Sequence, residues 1–224
     1  MHNTTASFFA FLVLLPAAFS FTIDSYNSDA EVQPNGDLHV QETITFTLEE
    51  AYNEGYRSIR PADYGSLSNL AVHSVKVNGL PVNYYTQEYE GKAEIVWTET
   101  FSGTNKVELD YTLKNRVELW DDYAKLCFEH YGSNWAAPAK TFRSTMELPE
   151  ASRGKTMHFE VYSDKKGEAY IDDLSIVIEM EDVPSGNYIG GCYLFARDSV
   201  NTTNTVNGSA FAILDEEREI YGSE

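Results

Sequence analysis

Basic residues are scarce in this chain. Lysine and arginine number 16 against 35 aspartates and glutamates, giving a formal net charge of −19. Phosphate backbones and anionic lipid surfaces are held by local positive charge, so nucleic acid and acidic bilayers are poor partners. Cysteine is rarer still, with Cys127 and Cys192 alone. The sequence has no H-E-x-x-H, G-x-S-x-G, C-x-x-C, G-x-G-x-x-G or EF-hand loop, so the common short signatures of catalysis, dinucleotide binding and metal binding are missing. The five histidines, His2, His39, His73, His130 and His158, are scattered without the close pairing of a strand or helix metal site. They read as solvated strand residues, and no metal, cofactor or catalytic residue is assigned. Asp121-Asp122 and Asp172-Asp173 read as solvated turn acids, with weak calcium ligation as the alternative.

Long apolar runs are almost absent too. The exception lies in residues 1–20, "MHNTTASFFAFLVLLPAAFS", which hold no Asp, Glu, Lys or Arg. Phe8 to Phe19 has the length of a signal-peptide core, too short to span a bilayer, and Ala18-Phe19-Ser20 offers the small residues that cleavage needs. The mature chain then starts near Phe21 and is exported, to the cell surface or beyond. The lack of Lys or Arg before the run departs from the usual signal and keeps an uncleaved anchor or a buried segment as alternatives. No second run reaches transmembrane length, so membrane attachment requires an uncleaved signal or an anchor beyond Glu224. In an exported chain two cysteines tend to pair, and a Cys127–Cys192 bridge is expected, with two buried free thiols as the alternative. Asn201 in "NTT" and Asn207 in "NGS" are glycosylation acceptors by pattern. The acidity keeps an exported domain soluble, or adapts it to salt or divalent cations.

What the chain does have is alternation. In "DLHVQETITFTL" Val40, Ile44, Phe46 and Leu48 share one face, the period of a half-buried strand. The same period runs through Val107, Leu109, Tyr111 and Leu113, through Met157, Phe159 and Val161, and through Leu174, Ile176, Ile178 and Met180. Weaker strands are expected at 21–27, 70–77, 80–87, 92–98 and 140–148. "VNGLP" carries Asn-Gly, the strongest short hairpin signal. Many short strands with turns between them predict an all-β, antiparallel sandwich, immunoglobulin-like in general architecture. The exported domain is placed at 21–214, with a break near 149–154 that would divide it if it forms two packed sub-sandwiches. Residues 215–224 are a tail or the start of a truncated helix, with Asp215, Glu216 and Glu217 suited to a first helical turn.

The segment "FEHYGSNWAAPAKTFRSTMELP" holds a His, a Ser and a Trp, yet reads as a connection. Gly132 and Ser133 make the turn, Trp135 plugs the core, and Pro138 starts an edge strand. His130 and Ser133 are then turn residues rather than parts of a catalytic loop. One charge is out of place: Glu42 lies on the apolar face of its strand. A carboxylate there needs a partner, and Arg57 or Arg60 in "GYRSIRP" can supply a bidentate one. The pairing reads as structural rather than as a general acid.

Taken together, "NGDLHVQETITFTL", "GYRSI", "KVELDYTLKN" and "YGSNWAAPAKTFRSTMELP" resemble the exported domain of the domain of unknown function (DUF) 2207 family, whose members are described as predicted membrane proteins. The matching positions are Gly36, Val40, Glu42, Gly55, Tyr56, Arg57, Ile59, Tyr111, Trp135, Pro138 and Pro149. The resemblance covers roughly residues 22–150 and fades afterwards. Arg60 between Ile59 and Pro61 departs from the family's Ile-Pro step. The resemblance implies an extracytoplasmic β-sandwich, usually tethered by a transmembrane helix, and no reaction. The expected function is therefore a non-catalytic domain of a cell-envelope protein, structural or interaction-mediating, whose partner is an envelope protein or a glycan. A glycan-binding module is the first alternative, with Tyr84, Tyr85, Tyr89, Trp97 and Trp120 as its platform. A hydrolase with an acidic cleft is the second, and needs two converging carboxylates.

Overall fold

The structure, a computed structural model, describes residues 21–59 and 67–221, with side chains through 216. The expected signal at 1–20, and Arg60 and Pro61, lie outside the described residues. The strands are β1 (Phe21–Val32), β2 (Leu38–Ile59), β3 (Leu70–Val77), β4 (Leu80–Pro81), β5 (Asn83–Tyr89), β6 (Lys92–Leu113), β7 (Glu118–Leu119), β8 (Tyr123–Tyr131), β9 (Ala139–Glu147), β10 (His158–Ser163), β11 (Glu168–Asp172), β12 (Ser175–Val183) and β13 (Ile189–Ala196), followed by helix α1 (Ala210–Tyr221). They form a nine-stranded sheet, ordered β11-β12-β9-β1-β2-β6-β3-β4 with β5 on β6, and a four-stranded sheet, β10-β13-β8-β7.

The two sheets pack face to face. Val40, Leu109 and Tyr111 of the large sheet meet Leu126, Phe128, Tyr193 and Phe195 of the small one in a single cluster. Alternation on β2 and β6 delivers the first set, as a sheet with one buried face requires. Two strands, β8 and β13, escape the alternation. β13 is buried at every position, because α1 covers its outer face through Cys192, Leu194, Ala210 and Leu214. A strand covered on both sides shows an unbroken apolar run instead of period two.

Among the described residues the strand pairs are antiparallel apart from β1–β9, which is parallel. Two expectations need correction. β9 lies between β12 and β1, so Pro138 precedes an interior strand, and its carbonyl accepts the Ile23 N–H at 3.1 Å. The helix begins at Ala210, before the acids meant to start it. Its first N–H groups are capped by Asp122, whose carboxylate accepts from Ala210 at 2.8 Å and from Phe211 at 3.3 Å. Asp122 is exposed; slight desolvation raises its carboxyl, yet the Ser209 hydroxyl and these N–H groups outweigh that and hold it below the usual range. Asp121 accepts from the Gly208 N–H at 2.9 Å. This acid pair is therefore helix-capping machinery. At 149–154, Glu150–Ser152 form a 3-10 turn between β9 of the large sheet and β10 of the small one.

Cys127 and Cys192 face each other across β8 and β13 and are disulfide-bonded. The bridge closes a long loop, with a sequence separation of 65. Replacing both cysteines by serine is expected to lower unfolding free energy by about 4 kcal/mol. Guanidinium denaturation checks this, and an unchanged midpoint would contradict it.

Candidate functional site

β2 is one strand in name and two in geometry. Its first part, Leu38 to Leu48, pairs with Leu113 to Gly103 of β6; its second, Glu54 to Ile59, pairs with Thr98 to Ala93. Between them the register breaks at Leu48/Tyr52 and again at Tyr52/Glu54. Such irregularities bend a ribbon sharply. The size of the bend follows from one contact. A straight strand would hold Glu42 and Arg57 about 50 Å apart. Instead Arg57 Nε donates to Glu42 Oε2 at 2.9 Å and Nη2 donates to Oε1 at 3.0 Å. The ribbon has turned back over its own inner face.

Glu42 and Arg57 are 1% and 3% exposed, so the pair sits away from water. The Tyr111 hydroxyl donates to Glu42 Oε1 at 2.9 Å, and Arg57 Nη1 donates to the Ser58 carbonyl. Burial opposes the charge on Arg57, but the adjacent Glu42 carboxylate outweighs it and holds the guanidinium well above its ordinary value. Burial, and then the Glu42 charge, push the Tyr111 phenol far up. The guanidinium also lies 5.9 Å from the centroid of Trp135, within cation–π range.

The fold-back leaves a cleft of about 220 Å³. Phe21, Ile23, Ile44, Phe46 and Leu48 form one wall, Tyr52 to Ser58 with Trp97 and Phe101 the second, and Gly132 to Ala136 the third. Gly55 sits opposite Trp97 on β6, and a Cβ added there would fall 2.6 Å from the indole. A glycine is what allows the ring to lie flat against the strand. Trp135 is not the expected core plug. It is half-buried, stacked on Tyr131 at 5.8 Å and edge-on to Tyr26 at 5.7 Å. Its other side faces the cleft. Among the described residues, Glu54 and Glu129 are the carboxylates on the cleft walls.

The other sequence candidates fall elsewhere. Trp97 is 4% exposed and cannot serve in a surface platform, because Gly55 and the ribbon cover it. Tyr84, Tyr85 and Tyr89 are 39%, 43% and 56% exposed on β5. Strand alternation puts Tyr84 on the opposite face from the other two. Tyr84 donates to the Val72 carbonyl and Tyr85 to Glu54. Trp120 is half-buried and donates to Glu118 at 2.9 Å. Asn201 and Asn207 are exposed, between β13 and α1.

His130 is not a turn residue. It lies inside β8 and is fully buried with Ser144 and Tyr193. The Ser144 hydroxyl is 2.6 Å from Nδ1, and the Tyr193 hydroxyl bonds Nε2. The arrangement has the residue types of a nucleophile and base, but no solvent reaches any of the three. Its physical role is to satisfy buried polar atoms between the sheets. Burial pushes His130 down to about 3. No local pattern signals this arrangement, since His130 and Ser144 come from separate strands.

The fold and the cleft define a two-sheet β-sandwich domain with a concave, mostly apolar surface on a folded ribbon. The chain belongs to the family described as the N-terminal domain of predicted membrane protein DUF2207, which matches residues 22–195. Comparison with curated proteins returns no match. Among solved structures it is similar to yeast LTA4 hydrolase in complex with bestatin, at TM-score 0.54 and 11% identity over 78% of this chain and 28% of that one. Native leukotriene A4 hydrolase from Saccharomyces cerevisiae gives TM-score 0.52 and 10% identity over 78% and 29%. At that identity the likeness is one of fold alone. The chain spans less than a third of those enzymes. Among the described residues, no helix is long and apolar enough to cross a membrane.

Replacing Arg57 by methionine leaves the Glu42 carboxylate buried without its partner and should cost about 3–5 kcal/mol, whereas the double variant Glu42→Gln, Arg57→Met should recover most of that. A urea titration of the pair decides it, and a single variant within 1 kcal/mol of the parent by that titration would contradict the clamp. His130 gives a pH signature. Its folded value is depressed to about 3 against an ordinary 6.5. The unfolded chain therefore takes up the proton first on acidification, and stability falls as pH drops below 6.5. Between pH 7 and 5 the loss should be about 2 kcal/mol. Proton NMR should show the His130 ring still neutral at pH 5, and a ring that titrates normally would refute the assignment.

Proposed function

We propose that this chain is a non-catalytic, exported binding domain of a cell-envelope membrane protein, and that its cleft captures an apolar side chain of a partner polypeptide. The cleft itself carries the reading: aromatic walls, a half-buried Trp135 and a mouth lined by the exposed Tyr52 and Tyr56. At about 220 Å³ it is smaller than pockets for drug-sized molecules, which run about 300–1,000 Å³. It suits one or two apolar side chains of the kind that anchor protein interfaces. Glu54 and Glu129 on the walls and the net charge of −19 favour an anchor flanked by Lys or Arg. Export is supported by the charge-free apolar run before Phe21, and membrane association by the family's description. A glycan module has less support, because the exposed tyrosines of β5 are divided between two faces of the strand and Trp97 is covered.

The test places a photo-crosslinking amino acid at Tyr56, at the cleft mouth, and at Lys76, on β3, in cells. The reading expects a defined polypeptide adduct from position 56 only. It also expects the adduct to vanish in Gly55→Val, whose side chain would displace Trp97 from the cleft wall. A polysaccharide adduct, or the same adduct from both positions, would overturn it.

A further inference from the structure

We propose that His39, His73 and Asp110 form a site for a divalent late transition-metal ion of the zinc or copper type, on the outward face of the large sheet. One ligand atom from each lies within 4.8 Å of the others. The site shares no residue with the apolar cleft and stands independently of the function proposed for it.

The three residues come from three adjacent strands, β2, β3 and β6. Asp110 faces outward on β6, because its neighbours Leu109 and Tyr111 face the core. His39 is opposite Thr112, one outward position along β6. His73 joins them through a register shift: Val72 pairs with Tyr111 and Ser74 with Asp110, leaving His73 as the extra residue. A bulge of this kind re-aims a side chain while the flanking residues, here Val72 and Val75, keep their inward facing.

The hydrogen bonds show a partly assembled ligand set. His39 Nε2 lies 2.8 Å from Asp110 Oδ1. His73 Nε2 lies 2.8 Å from Thr112 Oγ1, with the two imidazole centroids 5.9 Å apart. The other Asp110 oxygen accepts from Gln41 Nε2 at 3.3 Å, the kind of outer contact that orients a ligating carboxylate. An ion entering between His39 and Asp110 displaces the proton they share. A tetrahedral shell needs ligand atoms about 3.3 Å apart, which a side-chain rotation of the exposed His73 supplies. Two imidazoles and one carboxylate suit zinc or copper, whereas calcium and magnesium prefer all-oxygen shells. Glu31, opposite His39 on β1, lines the hollow beside it, and the acidic surface raises the local cation concentration.

The test is calorimetric titration of tag-free full chain with Zn²⁺ alone and with Mg²⁺ alone. The proposal expects one equivalent of Zn²⁺, no Mg²⁺ uptake at the same concentrations, and a rise in Tm with Zn²⁺. His73→Ala and Asp110→Asn should weaken Zn²⁺ binding at least about tenfold and remove that rise, while His158→Ala leaves both in place. His73 is exposed, so its loss spares the core, and circular dichroism with an unchanged metal-free Tm confirms folding. Absence of Zn²⁺ uptake by the parent chain, or a Zn²⁺ affinity in His39→Ala or His73→Ala equal to the parent's, would overturn the assignment.

Discussion

Arg57 reaches Glu42 across a strand that has turned back on itself, and the rest of the domain is arranged around that reach. Each partner alone would be expensive to bury; together, with the Tyr111 hydroxyl on the same carboxylate, they are satisfied. Such a pair contributes less to net stability than to choice of conformation. An apolar substitute could fill the same space, but it would not distinguish one degree of folding from another. A bidentate guanidinium and carboxylate meet in one geometry only, so the contact fixes how far the β2–β6 ribbon closes.

The cleft is a consequence of that closure. Its walls are the two halves of one ribbon and the β8–β9 connection, and none of them is concave alone. Gly55, Arg57 and Trp135 stand around it, with Glu42 and Tyr111 in the hydrogen-bonded base. These five positions, scattered from 42 to 135, are among those that carry the family resemblance. The structure supplies a common physical reason: a carboxylate and a guanidinium to close the ribbon, a phenol to complete the carboxylate, a glycine for the indole of Trp97, and an aromatic over the cation.

Much of the fold could be read from the residues, for definite reasons. Strands with one wet face announce themselves through period two, as β2, β3 and the end of β6 do. Glu42 was visible because a charge broke that period, and Arg57 because few cations were near enough in the chain to answer it. β8 and β13 were not legible, since burial on both sides erases the alternation. His130 was misplaced for the same reason: nothing local distinguishes a histidine at a turn from one buried against Ser144 and Tyr193. The metal-ligand set on β2, β3 and β6 depends on strand order and on one bulge, neither of which appears in the spacing of His39 and His73. The bend of β2 was invisible because its cause, two shifts of register, exists only between strands.

The closure of β2 can be measured directly. Spin labels at Gln41 and Tyr56, both exposed and flanking the clamp, would lie about 50 Å apart along a straight strand. Pulsed dipolar spectroscopy on the oxidised domain should give a single narrow distribution far below that length. A broad distribution, or one centred near the straight-strand value, would contradict the folded ribbon and with it the cleft.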